Sequence, residues 1–227
     1  RDLHVRSRRQ RQMCIRDSFY GGLAESAKNP LPPSLEGYND QIKEYPYDLK
    51  KAKELLKEAG FPDGFKMKLW AMPVPRPYMP DGMKIAEVIQ SSFEKIGVKA
   101  EIVTYDWATY LDKVSKGEAD AFLMGWTGDN GDPDNFIYTL LDKDNIGGNN
   151  YTYFSNDELH DILIEAQSDP DQKKRNKLYQ DAQELLHEES PWVPLVHSTP
   201  ILAGSKDIEG YAPHPTGSEV LSGVEFK

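Results

Sequence analysis

The sequence predicts an α/β layer fold with a mostly parallel sheet. Apolar residues at helical spacing alternate with short runs at strand spacing. Gly60 and Gly97 close the first two helical runs. The order β-α-β-α-β-α, then further helices and one returning strand, is the pattern of a sheet covered by helices. In such sheets ligands collect outside the carboxyl ends of the strands, so two strand-end loops become the candidate site.

Each element has its own reason. Residues 19–47 carry Pro30, Pro32, Pro33, Gly37 and Pro46 with little periodicity, which predicts an extended, looping lead-in. Ala52, Leu55, Leu56 and Ala59 fall on one helical face, so 48–59 reads as an amphipathic helix. Residues 61–64, FPDG, form a turn. Met67, Leu69 and Ala71 alternate with Lys66, Lys68 and Trp70, predicting a strand over 66–71. Met83, Ile85, Ala86, Ile89, Phe93 and Ile96 mark the next helix, and 98–104 a second strand. Asp106 is placed to cap a helix over 107–116, and 119–125 reads as the third strand. A short helix follows over 134–141. Ser155 with Glu158 reads as a capping box opening a helix to about Ala166. Leu178, Ala182, Leu185 and Leu186 define a longer helix over 171–189. Residues 192–197 read as a last buried strand, and 198–227 are punctuated by Gly and Pro.

Composition bounds the function. The chain has 227 residues and a mass of 25.8 kDa, ample for a real core. At 38% hydrophobic and 11% aromatic it is too apolar for a disordered chain. No run of about 18 apolar residues offers a membrane span. Lys and Arg total 27 against 37 Asp and Glu, a net charge of −10, which argues against a nucleic-acid partner. The one cysteine, Cys14, leaves no internal disulfide framework and no Cys-based zinc site.

Residues 1–17 stand apart. Six arginines against two aspartates give them a local charge of +4, leaving −14 on the rest. They lack the apolar stretch and cleavage site of a secretory signal. The abrupt change at Ser18 reads as foreign or artefactual sequence joined to a truncated frame. A basic arm for nucleic acid or anionic membrane is the alternative.

The loop over 72–80, MPVPRPYMP, holds four prolines around Arg76. Proline stiffens the loop, so the guanidinium has less freedom to lose on binding, and its planar fork suits a carboxylate or phosphate. An ordinary surface ion pair is the bland alternative. The loop over 125–135, GWTGDNGDPDN, is dense in carboxylates and glycine beside Trp126. It fails as a calcium loop, because the acids miss the alternate spacing and no glutamate closes the frame. Asp129, Asp132 and Asp134 are conceivable acid/base pairs for a hydrolase, although adjacent acids seldom flank a sugar from both sides. A carboxylate beside an aromatic face also suits an ammonium group. A solvated turn stays open as well. His160, His187, His197 and His214 are scattered and build no metal motif, and no nucleophile elbow or phosphate loop occurs. No cofactor and no catalytic residue are assigned.

Read together, AMPVPRPYMPDGMKIAEVIQSSFEKIGVKAEIVTYDWATYL and MGWTGDNGDPDNF closely resemble the bacterial periplasmic dipeptide-binding proteins, the solute receptors of peptide-importing ABC transporters. AKNPLPPSLEGYND, YDLKKAKELLKEAGFPDGF and LVHSTP are similar to the same family, so the resemblance covers about 19–227. It implies a lobe of a type II periplasmic-binding-protein fold, with no chemistry performed on the ligand. By position in the motifs, Asp129 is expected to hold a dipeptide's α-ammonium group and Arg76 its α-carboxylate, with Tyr78 and Trp126 lining the cleft. The implied partners are a dipeptide and a membrane permease, and the expected state is a monomer. The implied location is the periplasm, or a lipid-anchored extracytoplasmic position, with the signal segment absent from this chain. Haem and oligopeptide receptors of the same family are the near alternatives. A disulfide that some members carry has no counterpart here, since 140–153 contain no cysteine. The resemblance also implies a fragment: 18–199 as the C-terminal ligand-binding lobe, incomplete at its start, and 200–227 as a tail packing on a missing first lobe. Left alone, that tail is expected to have unpartnered strands and exposed Ile201, Leu202 and Val224.

Overall fold

The computed structural model describes residues 19–214, 216–217 and 220–227; the basic segment 1–17, with Cys14, lies outside them. In chain order the elements are β1 (Ala24–Ser26), α1 (Leu49–Glu58), β2 (Lys66–Trp70), α2 (Gly82–Glu94) and β3 (Lys99–Val103). Then come α3 (Trp107–Ser115), β4 (Ala121–Phe122), α4 (Tyr138–Leu141), α5 (Asp157–Ser168), α6 (Gln172–Glu189), β5 (Val196–Ser198), β6 (Ile208–Glu209) and β7 (Glu225–Phe226). Short 3-10 turns at Pro133–Asn135 and Lys143–Asn145 flank α4.

The expected parallel sheet is present, in the order β3-β2-β4. Lys66 lies beside Lys99 and Trp70 beside Val103, while Leu69 and Trp70 lie beside Ala121 and Phe122. The period-2 alternation of β2 sends its side chains to two cores. Leu69 joins Ile85 and Ala86 of α2, Ala100 and Leu123 on one face. Trp70 joins Tyr110 and Val114 of α3 on the other. A third core, built on Phe136, Leu141, Leu163, Tyr179 and Leu186, holds α4, α5 and α6 together.

Aspartate and asparagine caps set the helix starts. Asp48, Asp81, Asp106 and Asp171 each accept backbone N–H groups of the first turn, satisfying donors that the helix cannot. The cap of α5 is Asn156, whose Oδ1 accepts from Leu159 N at 2.9 Å, so the Ser155–Glu158 capping box is corrected by one residue. No residue of α1 is buried, and Leu55 on its apolar stripe is 51% exposed.

Further expectations change in detail. The third strand is two residues rather than seven, Ala121–Phe122; just beyond it Leu123 N still donates to Trp70 O at 2.9 Å, and Gly125 lies against the ring of Tyr78. The last strand is only Val196–Ser198, half-buried, and pairs antiparallel with β1 outside the parallel sheet. The lead-in is irregular over 27–47, as expected, and it is anchored: Leu31 is fully buried, Asn39 N donates to Gln183 Oε1 at 3.0 Å, and Gln183 Nε2 donates to Gly37 O at 2.7 Å. In the tail, β6 and β7 pair with each other, so these strands are not unpartnered. Ile201 and Leu202 are exposed as expected, whereas Val224 is half-buried.

Candidate functional site

The loop leaving β2 is a stiff turn. Arg76 N donates to Met79 O at 3.0 Å and Met79 N to Arg76 O at 2.9 Å, closing a four-residue turn around Pro77 and Tyr78. Buried Met79 pins it to the core, and the Tyr20 hydroxyl donates to Tyr78 O at 2.7 Å. Arg76 points out from this base and is exposed. Its guanidinium lies 5.5 Å from the ring centre of Trp107. Burial raises the Tyr78 phenol above its ordinary pKa, and the charge and contact of Arg76 work against that rise.

The loop leaving β4 is organised by three side chains. Asn135 Oδ1 accepts from Trp126 Nε1 at 2.9 Å and from Asp129 N at 3.0 Å, so one amide oxygen draws both ends together. Asp132 caps the following 3-10 turn through Asp134 N and receives Arg175 Nη2 on both oxygens at 2.7 Å. Asp134 accepts from Gln167 Nε2 at 2.8 Å and from the Tyr179 hydroxyl at 3.3 Å. These contacts tie the loop to α5 and α6.

The three aspartates therefore differ. Asp132 and Asp134 are committed to holding the loop. The exposed Asp129 carboxylate has no hydrogen bond or ion pair among the described residues. Arg175 is committed likewise, which leaves Arg76 as the described arginine without an acidic partner. The two loops meet at one contact: a Cβ placed on Gly125 would lie 2.3 Å from Tyr78 Cδ2. The neighbouring strands β2 and β4 thus present a cation and an anion from loops that touch, with Tyr78 between the loops and Trp126 beside Asp129. That arrangement suits a ligand carrying both charges.

The sequence reading missed Trp107, Asn135 and Arg175. Trp107 follows β3 and so sits at a third strand end, a signal obscured by its place as the first residue of a helix. Asn135 lies inside the loop motif but offers no charge to notice. A further cluster, Asp142, Asp144 and His160, gathers its ligand atoms within 4.8 Å. Its internal bonds account for it: His160 Nδ1 is 3.1 Å from both Asp142 oxygens, and Asp142 also accepts from Asp144 N. An open groove of about 360 Å³, lined by Lys66, Lys68, Lys99, Glu101 and Asp120, lies at the opposite, amino end of the sheet.

The chain is similar to known proteins in sequence and in fold. The family described as bacterial extracellular solute-binding proteins, family 5 Middle, matches residues 14–148. Heme-binding protein A of Haemophilus influenzae is 45% identical over 210 residues, covering 92% of this chain and 38% of that protein. The dipeptide-binding protein of Escherichia coli is 44% identical over 211 residues, covering 92% of this chain and 39% of that protein. The solved dipeptide-binding protein of Pseudoalteromonas sp. SM9913, in complex with Met-Leu, superposes with a TM-score of 0.85 at 35% identity. It covers 95% of this chain and 43% of its own. The chain spans about two fifths of the length of the curated relatives it matches. Among the described residues no helix is long and apolar enough to cross a membrane. With a parallel sheet, two charged strand-end loops and these likenesses in sequence and fold, the chain belongs to family 5 of the bacterial extracellular solute-binding proteins.

Proposed function

We propose that this chain forms the ligand-binding lobe of an extracytoplasmic receptor that captures dipeptides and delivers them to the membrane permease of an ABC importer. The observation that carries the reading is the pair of exposed, oppositely charged side chains on touching loops, Arg76 without an acidic partner and Asp129 without a basic one among the described residues. Asp129 takes the ligand's α-ammonium group, and Arg76 takes its α-carboxylate through a two-pronged contact. Tyr78 and Trp126 line the cleft. A ligand one residue longer carries its carboxylate past Arg76, which favours dipeptides.

No bond of the ligand is broken in this reading. The commitment of Asp132 and Asp134 to Arg175, Gln167 and Tyr179 supports it over a carboxylate-dependent hydrolase, which needs a second free acid. Residues 18–199 act as the lobe and 200–227 pack on a first lobe, a role that the exposure of Ile201, Leu202 and Phe226 supports. The protein works as a monomer in the periplasm, or lipid-anchored outside the membrane, without nucleic acid. A second reading, haem capture, draws on the 45% identity to heme-binding protein A.

Calorimetric titration of the intact protein tests the first reading. Arg76→Ala and Asp129→Asn are each expected to weaken dipeptide binding by about 2–5 kcal/mol, since each strands a ligand charge in a closed cleft. Unchanged affinity in both variants overturns the assignment. Binding of haemin with no measurable dipeptide binding favours the second reading.

A further inference from the structure

Arg76 is a long side chain on an exposed turn, yet it does not hang free. Its guanidinium lies over Trp107, 5.5 Å from the ring centre. Trp107 opens α3 directly after β3 and stacks on Tyr110, with ring centres 5.8 Å apart and planes 17° from parallel. Tyr110 is fully buried, and its hydroxyl donates to Leu123 O at 2.8 Å and Trp70 O at 3.2 Å. Those carbonyls belong to the end of β2 and the residue just after β4, the strands that launch the two charged loops. A continuous stack therefore runs from the sheet, through Tyr110 and Trp107, to the guanidinium.

The chemistry of that contact is specific. A cation beside an aromatic ring is attracted by the negative face of the ring, and an indole has no lone-pair acceptor to occupy an N–H. The N–H donors of a guanidinium lie in its plane and point outward from its edge. Trp107 thus restrains Arg76 without consuming the donors that a carboxylate needs. Ordering a flexible side chain before binding removes that cost from the binding step.

We propose that Trp107 is a positioning residue for the carboxylate seat, presenting the edge of the Arg76 guanidinium to the ligand's terminal carboxylate. This rests on the reading of Arg76 as that seat. The role explains why an aromatic stack continues past the buried core to a half-exposed tryptophan.

The test compares a dipeptide with its C-terminal amide, which keeps the ammonium group and loses the carboxylate. Both are titrated into the intact protein carrying Trp107→Leu, Trp107→Phe or Arg76→Ala. Trp107→Leu is expected to weaken the free dipeptide about tenfold and leave the amide within about twofold, while Trp107→Phe keeps most of the affinity because a ring face remains. In the Arg76→Ala background, Trp107→Leu is expected to change neither ligand further. An equal loss for dipeptide and amide, or no loss for either, overturns the proposal. Should Arg76→Ala leave the preference for dipeptide over amide intact, the carboxylate seat itself is wrong, an outcome distinct from failure of Trp107 alone. Trp107→Phe guards against a misfolded leucine variant.

Discussion

The ring of Tyr78 lies so close against Gly125 that a single added Cβ would sit 2.3 Å from Cδ2 and 2.8 Å from two further ring carbons. The contact joins the loop carrying Arg76 to the loop carrying Asp129. It fixes how closely the two loops approach each other. Gly125 is needed here for closeness of approach, because its backbone is not in the left-handed region.

Gly125→Ala is therefore expected to push the two loops apart. Overpacking of this kind costs about 1–3 kcal/mol, visible as a lower denaturation midpoint of the intact protein. Ligand affinity is expected to fall with it. Tyr78→Ala in the same chain relieves the clash, so the double variant is expected to lose less than the two single losses added. Full additivity would place the cost somewhere other than the ring.

Asp132 performs two tasks that substitutions separate. It caps the 3-10 turn through Asp134 N, and it binds Arg175. Asp132→Asn keeps the cap and gives up the ion pair, whereas Asp132→Ala gives up both. With the two side chains 18% and 35% exposed, solvent screens the pair, so Asp132→Asn is expected to cost about 1 kcal/mol. Asp132→Ala is expected to cost about 1 kcal/mol more for the lost cap. Equal losses in urea denaturation would mean that the cap contributes nothing.

Asn135→Ala is expected to loosen the anion seat. It leaves the Trp126 indole N–H and the Asp129 backbone N–H without their shared acceptor. A stability loss of about 1–2 kcal/mol follows from two unmade hydrogen bonds in a partly buried loop. Ligand affinity is expected to drop as Asp129 loses its fixed position. Trp126 emission, shifted to longer wavelength in the variant, is the direct readout; an unchanged spectrum argues that Asn135 does not hold the indole.

Much of this was legible beforehand, for identifiable reasons. The parallel sheet followed from the alternation in β2 and the glycine-closed helices beside it. Arg76 and Asp129 stood out because charge between prolines or glycines is conspicuous, and among the described residues neither has a partner of opposite charge. Strand β1 was not legible, since Ala24–Ser26 is three residues without alternation and is a strand only by pairing with β5. The commitment of Asp132 and Asp134 was hidden for the same kind of reason. Arg175 lies 43 residues from Asp132, and only tertiary packing selects which of the neighbouring acids it meets. Trp107 was read as the start of a helix, because periodicity reports what a residue builds and not what it touches across the sheet.

His197 gives the fold a pH dependence with a definite window. Its Nε2 is buried without a hydrogen-bond partner among the described residues, and burial lowers its pKa from 6.5 to about 4. The neutral ring is stable in place and the charged one is not. Between pH 4 and 6.5 the unfolded chain therefore binds more protons at this position than the folded one, so stability rises with pH across that range. The contribution is fully present above about 6.5 and is lost as pH falls towards 4, with an upper size of about 3 kcal/mol. Asp81 and Asp169 act in a separate window. Backbone hydrogen bonding by Lys84 leads in lowering Asp81, and a side-chain bond from Lys174 leads for Asp169. Both lie below 3.8, so their contribution fades only under more acid conditions. Urea denaturation at pH 4.5, 5.5 and 7 is expected to show a stability gain that His197→Phe flattens. A pH slope of the same size in the variant would move the effect to another group.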